Sequence, residues 1–294
     1  MQIEPIPKKR IADYIESCHT SDGGYFFANV EPSSGLDTYL AVKTLRILNT
    51  KTKNTASIAG FWKKETLDGH LHDLFSIYLA VETYKELDLP TDDFNIYRKS
   101  VQKEGEKTFS LVPSFRKHGL IRNNRASLRH AMNSIRARGR SLQRLLYFTT
   151  LARDLDFEMH TEKVSDFIYS IQNSDGGFGA KNESNILTTF HALHILKSLS
   201  LPIKHKNKII HSLTNWFNES VYIENLFYST EGLALLDTPA PDIEKTVRFV
   251  YSCQKNNGGF SRDRMLGIPK IENTYMAVRI LKHCETFTKN TFLT

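Results

Sequence analysis

A short glycine-rich phrase occurs three times along this chain, each time between two segments with apolar periodicity. The copies span residues 17–25, 170–178 and 252–260, and each contains a polar turn, two adjacent glycines and an aromatic residue. A Thr-Tyr/Phe-x-Ala tetrapeptide follows each copy, and the second glycine lies 17, 15 and 18 residues before its alanine. Self-similarity at a nearly constant spacing is typical of repeat architectures, so it constrains the fold more than composition does.

The segments on either side of each phrase have helical spacing. Before the first copy, Ile11, Tyr14 and Ile15 recur as on one helix face, and similar runs precede the other copies. We expect the glycine pair to end this helix, because glycine tolerates the left-handed conformation that closes a helix C-terminus. The Thr-Tyr/Phe-x-Ala segment begins a second helix. Each repeat is therefore predicted to be a helix hairpin whose apolar faces require neighbours.

Weaker copies of the second helix extend the pattern to six hairpins. The positions equivalent to the alanine are separated by 39, 69, 43, 40 and 45 residues, and they are Ala41, Ala80, Thr149, Ala192, Gly232 and Ala277. Six hairpins predict an all-α fold, an α/α toroid with inner and outer helices, although an open solenoid would have the same period. We predict one domain over residues 1–294, with a basic insertion at about 107–142 in the third hairpin.

Composition limits the setting of the protein. No run of 18 or more residues is apolar, which argues against a membrane-spanning helix, and no apolar stretch follows the basic N-terminus as in a signal peptide. Cys18 and Cys253 share a repeat position with Ile171, so we interpret them as buried apolar residues rather than as ligands or disulfide partners. These features predict a cytoplasmic protein.

Positive charge is concentrated in and around the insertion. Residues 107–153 contain eleven Lys and Arg and no Asp or Glu, whereas the formal net charge of the whole chain is +7. Within this segment Arg129, Arg136 and Arg140 recur at helical spacing. Three interpretations stay open: a solvated basic face, a site for a diphosphate or an acidic protein partner, and a surface for nucleic acid or an anionic membrane.

The repeat of a Cys or Gln, a polar turn, Gly-Gly-Phe/Tyr and a Thr-Tyr-x-Ala helix resembles that of the prenyltransferase and squalene-cyclase superfamily. The resemblance extends over nearly the whole chain. It implies an α/α toroid whose apolar, aromatic-lined central cavity holds an isoprenoid chain, with cationic side chains near one mouth that bind diphosphate. Aromatic residues at one register of the inner helices are candidates to line such a cavity or to pack between helices: Tyr39, Tyr78, Phe190 and Tyr275.

The zinc-binding motif of these relatives is altered in this chain. Beta subunits of protein prenyltransferases bind zinc through an Asp-x-Cys and a His, and a gap-free alignment of the glycine phrases places Leu187, Thr189 and Glu272 at these positions. Since Leu and Thr cannot act as zinc ligands, no zinc site is expected there. The nearby phosphate-binding positions become Lys181, which keeps the basic character, and Ser184, which does not.

The acid motif of the squalene-type cyclases is altered as well. Those enzymes protonate an alkene with the middle carboxyl group of an Asp-x-Asp-Asp-Thr motif. The nearest match, at residues 34–38, keeps the last Asp as Asp37, but Leu36 occupies the proton donor's position. We therefore interpret Asp37 as a helix cap or as a residual catalytic acid.

Two groups of histidines are candidates for either metal ligation or structural roles. His70, His72 and Asp73 precede the second inner helix and could share a metal ion if they lie in an irregular loop. The alternative is a helix start at which an acidic residue such as Asp73 acts as the cap, and Asp73 is also a second candidate catalytic acid. His191 and His194 lie on one helix face, where we interpret them as satisfied core residues.

The leading hypothesis is an enzyme that ionises or transfers an allylic isoprenoid diphosphate without zinc. Its diphosphate would be bound by basic residues of the insertion and of the loops after the glycine phrases, namely Lys181, Arg129, Arg136, Arg140, Arg262 and Arg264. No cofactor is expected, although Mg²⁺ could accompany the diphosphate. The alternatives are a non-catalytic toroid that binds a lipid or an acidic or alpha-type protein subunit, and, less favoured, a nucleic-acid-binding helical repeat with few aromatic residues for stacking.

Overall fold

The computed structural model describes residues 5–105, 142–156, 158–180, 182–265 and 267–291, which are predominantly helical. The helices are α1 (Lys8–Ser17), α2 (Gly35–Ile47), α3 (Thr55–Leu67), α4 (Leu74–Glu86), α5 (98–105), α6 (142–154), α7 (Thr161–Ser170), α8 (Ile186–Ser198), α9 (Lys206–Asn218), α10 (Ile223–Leu235), α11 (Ile243–Ser252) and α12 (Ile271–Thr291). A 3-10 helix (Asp92–Tyr97) precedes α5, and two short antiparallel strands, β1 (Gly179–Ala180) and β2 (Glu183–Ser184), precede α8. None of the described helices combines the length and the apolar composition needed to cross a membrane.

The chain forms two compact units. The first comprises Met1–His72, Leu79–Thr91 and Thr214–Thr294, and it contains α1 to α3 and α10 to α12. The second comprises Asp73–Tyr78 and Asp92–Leu213, and it contains α5 to α8. Helices α4 and α9 contribute residues to both. The predicted insertion at about 107–142 falls almost wholly outside the described residues, and one domain over residues 1–294 stays a prediction.

One hydrogen bond recurs at all three glycine phrases. The amide of the aromatic residue after Gly-Gly donates to the hydroxyl of the threonine in the first turn of the next helix. The N–Oγ1 distances are 2.9 Å from Tyr25 to Thr38, 2.9 Å from Phe178 to Thr189 and 3.0 Å from Phe260 to Thr274. All three aromatic side chains are fully buried. Because this bond joins the turn to the start of the inner helix, the glycine phrase and the threonine recur together.

The glycine pairs do not end the outer helices, so that prediction is wrong. Helices α1, α7 and α11 end at Ser17, Ser170 and Ser252, several residues before the glycines. The residues after these ends keep helical or nearly helical backbone angles, and their amides still bond to carbonyl groups of the last turn. No left-handed glycine is therefore needed to close these helices.

The first glycine of each pair instead lies against another outer helix. Gly23, Gly176 and Gly258 all have positive φ, and a Cβ atom on any of them would collide with backbone. Such an atom would lie 2.6 Å from Ser57 O in α3, 2.8 Å from Ile209 N in α9 and 2.2 Å from Arg10 O in α1, respectively. The first two contacts are with the outer helix of the following hairpin. Gly258, in the last hairpin, makes the same contact with α1. The first hairpin therefore packs against the last one in the way that a following hairpin packs against the one before it.

Three inner helices of the first unit pack side by side, with α12 between α10 and α2. In their first turns, Glu272 of α12 interacts electrostatically with Asp37 of α2 and with Glu224 of α10. In their third turns, Glu231 of α10 accepts a hydrogen bond from Arg279 Nε of α12 at 3.1 Å. Contacts in matching turns require that the three helices run in the same direction.

The repeat position shared by two cysteines and an isoleucine is buried, as predicted. Cys18, Ile171 and Cys253 each follow the last residue of an outer helix, and all are 8% exposed or less. Both cysteines are free, and burial raises the pKa of each thiol to about 11. They therefore act as small apolar core residues rather than as reactive thiolates.

Replacement of Gly258 by alanine should destabilise the protein much more than replacement of Gly69. Both glycines have positive φ, so either substitution should cost about 1 kcal/mol for the left-handed conformation. Only at Gly258 would the new Cβ meet backbone, at Arg10 O, whereas the space around Gly69 is open. Urea unfolding should show that Gly258→Ala lowers the free energy of unfolding by at least about 2 kcal/mol more than Gly69→Ala does. Equal losses would contradict the contact between the last and first hairpins.

Candidate functional site

The candidate site lies at the first turns of α2, α10 and α12, within the first unit. The interpretation of Asp37 as a helix cap is wrong. Ser34 is the N-cap of α2, and its Oγ accepts a hydrogen bond from the amide of Asp37 at 3.2 Å. Asp37 is only 8% exposed, and its carboxylate accepts from the amide of Phe27 at 3.2 Å. Burial raises the pKa of Asp37, the Phe27 hydrogen bond opposes the rise, and the charge of Glu272 adds to it.

Two glutamates complete a carboxylate cluster with Asp37. Burial raises the pKa of Glu272 in α12, and the negative charge of Glu224 in α10 raises it further. Glu224 Oε1 lies 3.0 Å from Arg262 Nε, while Glu224 Oε2 is buried without a hydrogen-bond partner among the described residues. Carboxyl groups with a raised pKa hold their protons to higher pH. Within the carboxylate cluster (Asp37, Glu224 and Glu272), Asp37 and Glu272 are therefore suited to proton transfer.

Aromatic side chains follow about one turn further along the inner helices. The fifth residue of α2, α4, α8, α10 and α12 is aromatic: Tyr39, Tyr78, Phe190, Phe227 and Tyr275. In the first unit the rings of Phe227 and Tyr275 are 5.9 Å apart, centroid to centroid. In the second, Tyr78 lies 4.7 Å from Tyr147, and Phe190 lies 5.9 Å from His194. The predicted residues share one register, and their role in lining a cavity stays a prediction.

The ninth residue of the same five helices is polar: Lys43, Glu82, His194, Glu231 and Arg279. The buried carboxylate of Glu231 accepts from both Nε and Nη2 of Arg279. Tyr275 and Tyr39 both interact electrostatically with Arg279, so this guanidinium joins the predicted aromatic residues of α12 and α2. In the first unit, a charged layer (Lys43, Glu231 and Arg279) thus follows an aromatic layer (Tyr39, Phe227 and Tyr275). The family resemblance implies apolar lining at this level.

The predicted diphosphate-binding residues are only partly described. Arg262 pairs with Glu224, and its guanidinium lies 4.0 Å from the centroid of the Tyr222 ring. Arg264 and Lys270 are exposed in the connection between α11 and α12. The remaining candidates lie outside the described residues, and they are Lys181, Arg129, Arg136 and Arg140. Diphosphate binding by these basic residues stays a prediction.

The structure does not gather His70, His72 and Asp73 around a common point, so the alternative of a metal site is wrong. His70 Nδ1 lies 3.2 Å from Glu65 Oε2, and His72 Nδ1 lies 2.8 Å from the carbonyl oxygen of His70. Asp73 caps α4, since its Oδ1 accepts from the amide of Ser76 at 2.8 Å. Across the described ranges, no three or more Asp, Glu, Cys or His residues are arranged to hold a metal ion. A catalytic role of Asp73 stays a prediction.

His191 is a core residue, as predicted, but it is not a satisfied one. Its side chain is buried in α8, and within the described part of the chain its Nδ1 has no hydrogen-bond partner. Burial lowers the pKa of His191 to about 4, and the neighbouring His194 contributes to the shift. The imidazole is therefore neutral at physiological pH.

Three residues of the site were missed at the level of sequence, namely Glu224, Glu231 and Arg279. Each is a charged residue in inner helix α10 or α12. The sequence did carry a signal for Glu231 and Arg279, because each is a charged residue about one turn after the aromatic position of its helix. Their pairing follows only from the packing of α10 against α12.

Comparison with known proteins places this architecture in a family. The family model described as the prenyltransferase alpha-alpha toroid domain matches residues 1–74, 129–221 and 203–292, which is more than half of the chain. The chain belongs to this family. Its all-α toroid class is thereby confirmed.

Among solved structures, this prenyltransferase-family toroid is similar to Candida albicans protein geranylgeranyltransferase-I complexed with GGPP. The TM-score is 0.58 at 16% sequence identity, and the match covers 95% of this chain and 91% of that chain. At this identity the likeness establishes the fold alone. No curated protein matches the chain at a significant level.

The residues at the zinc-ligand positions of this toroid do not fit a zinc ion. Leu187 has no donor atom, and Thr189 is fully buried with its hydroxyl bonded to the amide of Phe178. Glu272 belongs to the carboxylate cluster, where its pKa is raised and its affinity for a metal ion correspondingly reduced.

The purified protein should carry no stoichiometric zinc at these positions, because two of the three side chains offer no ligand atom. Elemental analysis of protein prepared without chelators is the measurement. Zinc that is present at one ion per chain and lost in a Thr189→Ala or Glu272→Gln variant would contradict the assignment. A His70→Ala, His72→Ala variant serves as the control for adventitious binding by exposed histidines.

Protonation of His191 should make the protein less stable in acid. The pKa is about 4 in the folded state and close to the ordinary 6.5 in the unfolded state. Between these values the unfolded chain binds more protons, so the free energy of unfolding falls as the pH falls. Between about pH 7 and about pH 5, the free energy of unfolding of His191→Leu should decrease by about 2 kcal/mol less than that of the wild type. His72→Gln, at an exposed position, should leave the loss unchanged, and an equal loss in His191→Leu would refute the prediction.

Proposed function

We propose that this protein is an enzyme that binds an isoprenoid diphosphate and acts at its allylic carbon without zinc. The observation that carries the proposal is the carboxylate cluster at the first turns of three parallel inner helices, next to the aromatic layer of Tyr39, Phe227 and Tyr275. Membership of the toroid family and the GGPP bound by a similar solved structure support the choice of ligand.

The aromatic layer and the carboxylate cluster provide complementary charge for this chemistry. When diphosphate leaves an allylic carbon, the C–O bond breaks with both electrons on oxygen, and an allylic cation remains. The faces of Tyr39 and Tyr275 can stabilise that cation by cation–π attraction. Asp37 or Glu272 can then accept the proton that is lost on cyclisation or from the group that attacks the cation. Their raised pKa values favour holding that proton.

The leaving diphosphate requires cations other than those already paired with carboxylates. Arg262 is paired with Glu224, and Arg279 with Glu231, so both guanidinium charges are already neutralised by carboxylates. We therefore assign the diphosphate to exposed Arg264 and to the basic residues outside the described ranges, Lys181, Arg129, Arg136 and Arg140. Mg²⁺ bound to the diphosphate would add positive charge at the same place.

A second function, a non-catalytic toroid that binds a lipid or an acidic or alpha-type protein subunit, is favoured by the charged layer of the inner helices. Lys43, Glu231 and Arg279 directly follow the aromatic layer in the first unit. An apolar tail that reached this layer would have to desolvate the Arg279–Glu231 pair, which is costly. The two functions differ in one measurable respect, the turnover of a bound isoprenoid diphosphate.

Substitution of Arg129, Arg136 or Arg140 by alanine should weaken the binding of geranylgeranyl diphosphate by about 1.5–3 kcal/mol, the scale of a charge-assisted hydrogen bond. Geranylgeraniol, which lacks the anion, should bind almost as before. Isothermal titration calorimetry with both ligands is the measurement. Arg248→Ala, which removes an exposed arginine of α11, should leave both affinities unchanged.

Three results would separate the hypotheses. Equal diphosphate affinity of the wild type and the triple alanine variant would overturn the assignment of the insertion. Binding of nucleic acid with a steep salt dependence would instead favour the helical-repeat alternative. If the diphosphate binds, an Asp37→Asn, Glu272→Gln variant should keep the affinity and lose turnover. A wild type that binds the diphosphate and never turns it over would support the second function.

A further inference from the structure

Exposed apolar side chains of the first unit are confined to one kind of connection. The exposed large hydrophobic residues described in this unit all lie at or after the end of an outer helix and before the next inner helix: Val30, Leu67, Val221, Met265 and Ile268. Met265 and Leu67 keep 78% and 77% of their surface accessible. In the described connections of this unit that run from an inner to an outer helix, no such residue occurs. Single exposed hydrophobic residues are ordinary, but their concentration in one class of connection indicates a contact surface.

Most of these residues meet at one end of the unit. The carboxylate cluster joins the first turns of α2, α10 and α12, so the connections that precede these three helices lie at the same end. A backbone hydrogen bond ties two of the connections together, since the amide of Ile223 donates to the carbonyl oxygen of Arg262 at 3.0 Å. The apolar side chains before α2, α10 and α12 therefore lie at the same end of the unit as the carboxylate cluster.

Basic residues flank the apolar ones in the connection between α11 and α12. Arg264 and Lys270 are exposed on either side of Met265 and Ile268, whereas Asp263 is half-buried. Arg262 is paired with Glu224 and adds no net charge. The exposed part of this connection thus combines apolar tips with positive charge.

The first turn of α1 adds further positive charge beside this connection. An open pocket is lined by Asn257 together with Lys8, Lys9, Arg10 and one acidic residue, Asp13. Arg10 Nη2 donates to the carbonyl oxygens that directly precede this asparagine, those of residues 255 and 256, at 3.1 and 3.0 Å. The basic turn of α1 is therefore held against the connection by the same contact that joins the last and first hairpins.

We propose that this apolar–basic end (the connections before α2, α10 and α12 with the first turn of α1) docks on an anionic lipid bilayer surface. Apolar side chains on separate loops can enter the headgroup region of a bilayer while neighbouring Lys and Arg stay level with the lipid phosphates. A bilayer requires no packed, continuous apolar patch, whereas a protein interface is built around one. The connection before α12, whose separate apolar tips are flanked by Arg264 and Lys270, therefore fits a lipid surface. The proposal is independent of the isoprenoid chemistry.

Sedimentation with lipid vesicles tests the apolar contribution. The full chain should sediment with phosphatidylcholine vesicles that contain about 30% phosphatidylglycerol. A Met265→Ser, Ile268→Ser variant should partition at least about tenfold less, because it loses the apolar side chains that enter the headgroup region. Ile96→Ser is the matched control, since Ile96 is 70% exposed but lies in the 3-10 helix of the second unit. It should sediment as the wild type does.

A second pair of variants tests the charge. Arg264→Gln and Lys270→Gln should each weaken partitioning on the anionic vesicles about fivefold, the effect of one basic residue near a charged bilayer. Arg248→Gln, on the exposed surface of α11, should have no effect. Addition of about 0.5 M NaCl should reduce the partitioning of the wild type on anionic vesicles toward the level seen with pure phosphatidylcholine vesicles.

Two results would overturn the proposal. One is a wild-type protein that stays in the supernatant with the anionic vesicles at low salt. The other is a Met265→Ser, Ile268→Ser variant that sediments as well as the wild type. Affinity for geranylgeranyl diphosphate, measured without lipid, should be unchanged in the Met265→Ser, Ile268→Ser variant, so failure of this proposal can be told apart from failure of the proposed function.

Discussion

The hydrogen bond from the amide after each glycine pair to the threonine hydroxyl of the next helix is the interaction on which the repeats depend. At Phe260 and Thr274, as at the other two copies, donor and acceptor are fully buried. Loss of the hydroxyl would leave an unpaired amide, which costs about 1–3 kcal/mol. At α2, α8 and α12 the bond also sets where the inner helix begins relative to the outer helix before it. Asp37 and Glu272 of the carboxylate cluster, in the first turns of α2 and α12, depend on this bond for their position.

Two opposing effects act on the carboxyl groups at these helix starts. The positive end of a helix dipole favours a negative charge in the first turn, by about 0.3–1 kcal/mol. Removal of a carboxylate from water costs several kcal/mol, and neighbouring carboxylates repel one another. Burial is the larger effect, because the pKa values of Asp37 and Glu272 are raised rather than lowered. Asp37 and Glu272 thus become groups that hold protons to higher pH instead of simple helix-stabilising charges.

The proposed function and the proposed membrane contact lie at the same end of the first unit. The connections of the apolar–basic end directly precede the first turns of α2, α10 and α12, which carry the carboxylate cluster. Along α2, α10 and α12 the carboxylate cluster lies nearer this end than the aromatic layer does. The charged layer of Arg279 and Glu231 would then limit how far an apolar tail could extend along these helices.

The sequence by itself determined the helical class, the repeat, the aromatic register that includes Tyr39 and Tyr275, and the buried character of Cys18. These features are local or periodic, and periodicity is visible without knowledge of which helices touch. Only the tertiary structure decided that Asp37 is buried beside Glu272 rather than capping its helix, and that Gly258 packs on α1 instead of ending α11. Glu272 is 235 residues from Asp37 in the chain, and a pKa depends on such neighbours through space. For the same reason the pairing of Arg279 with Glu231, and the grouping of exposed apolar residues at one end, could follow only from the packing of the inner helices.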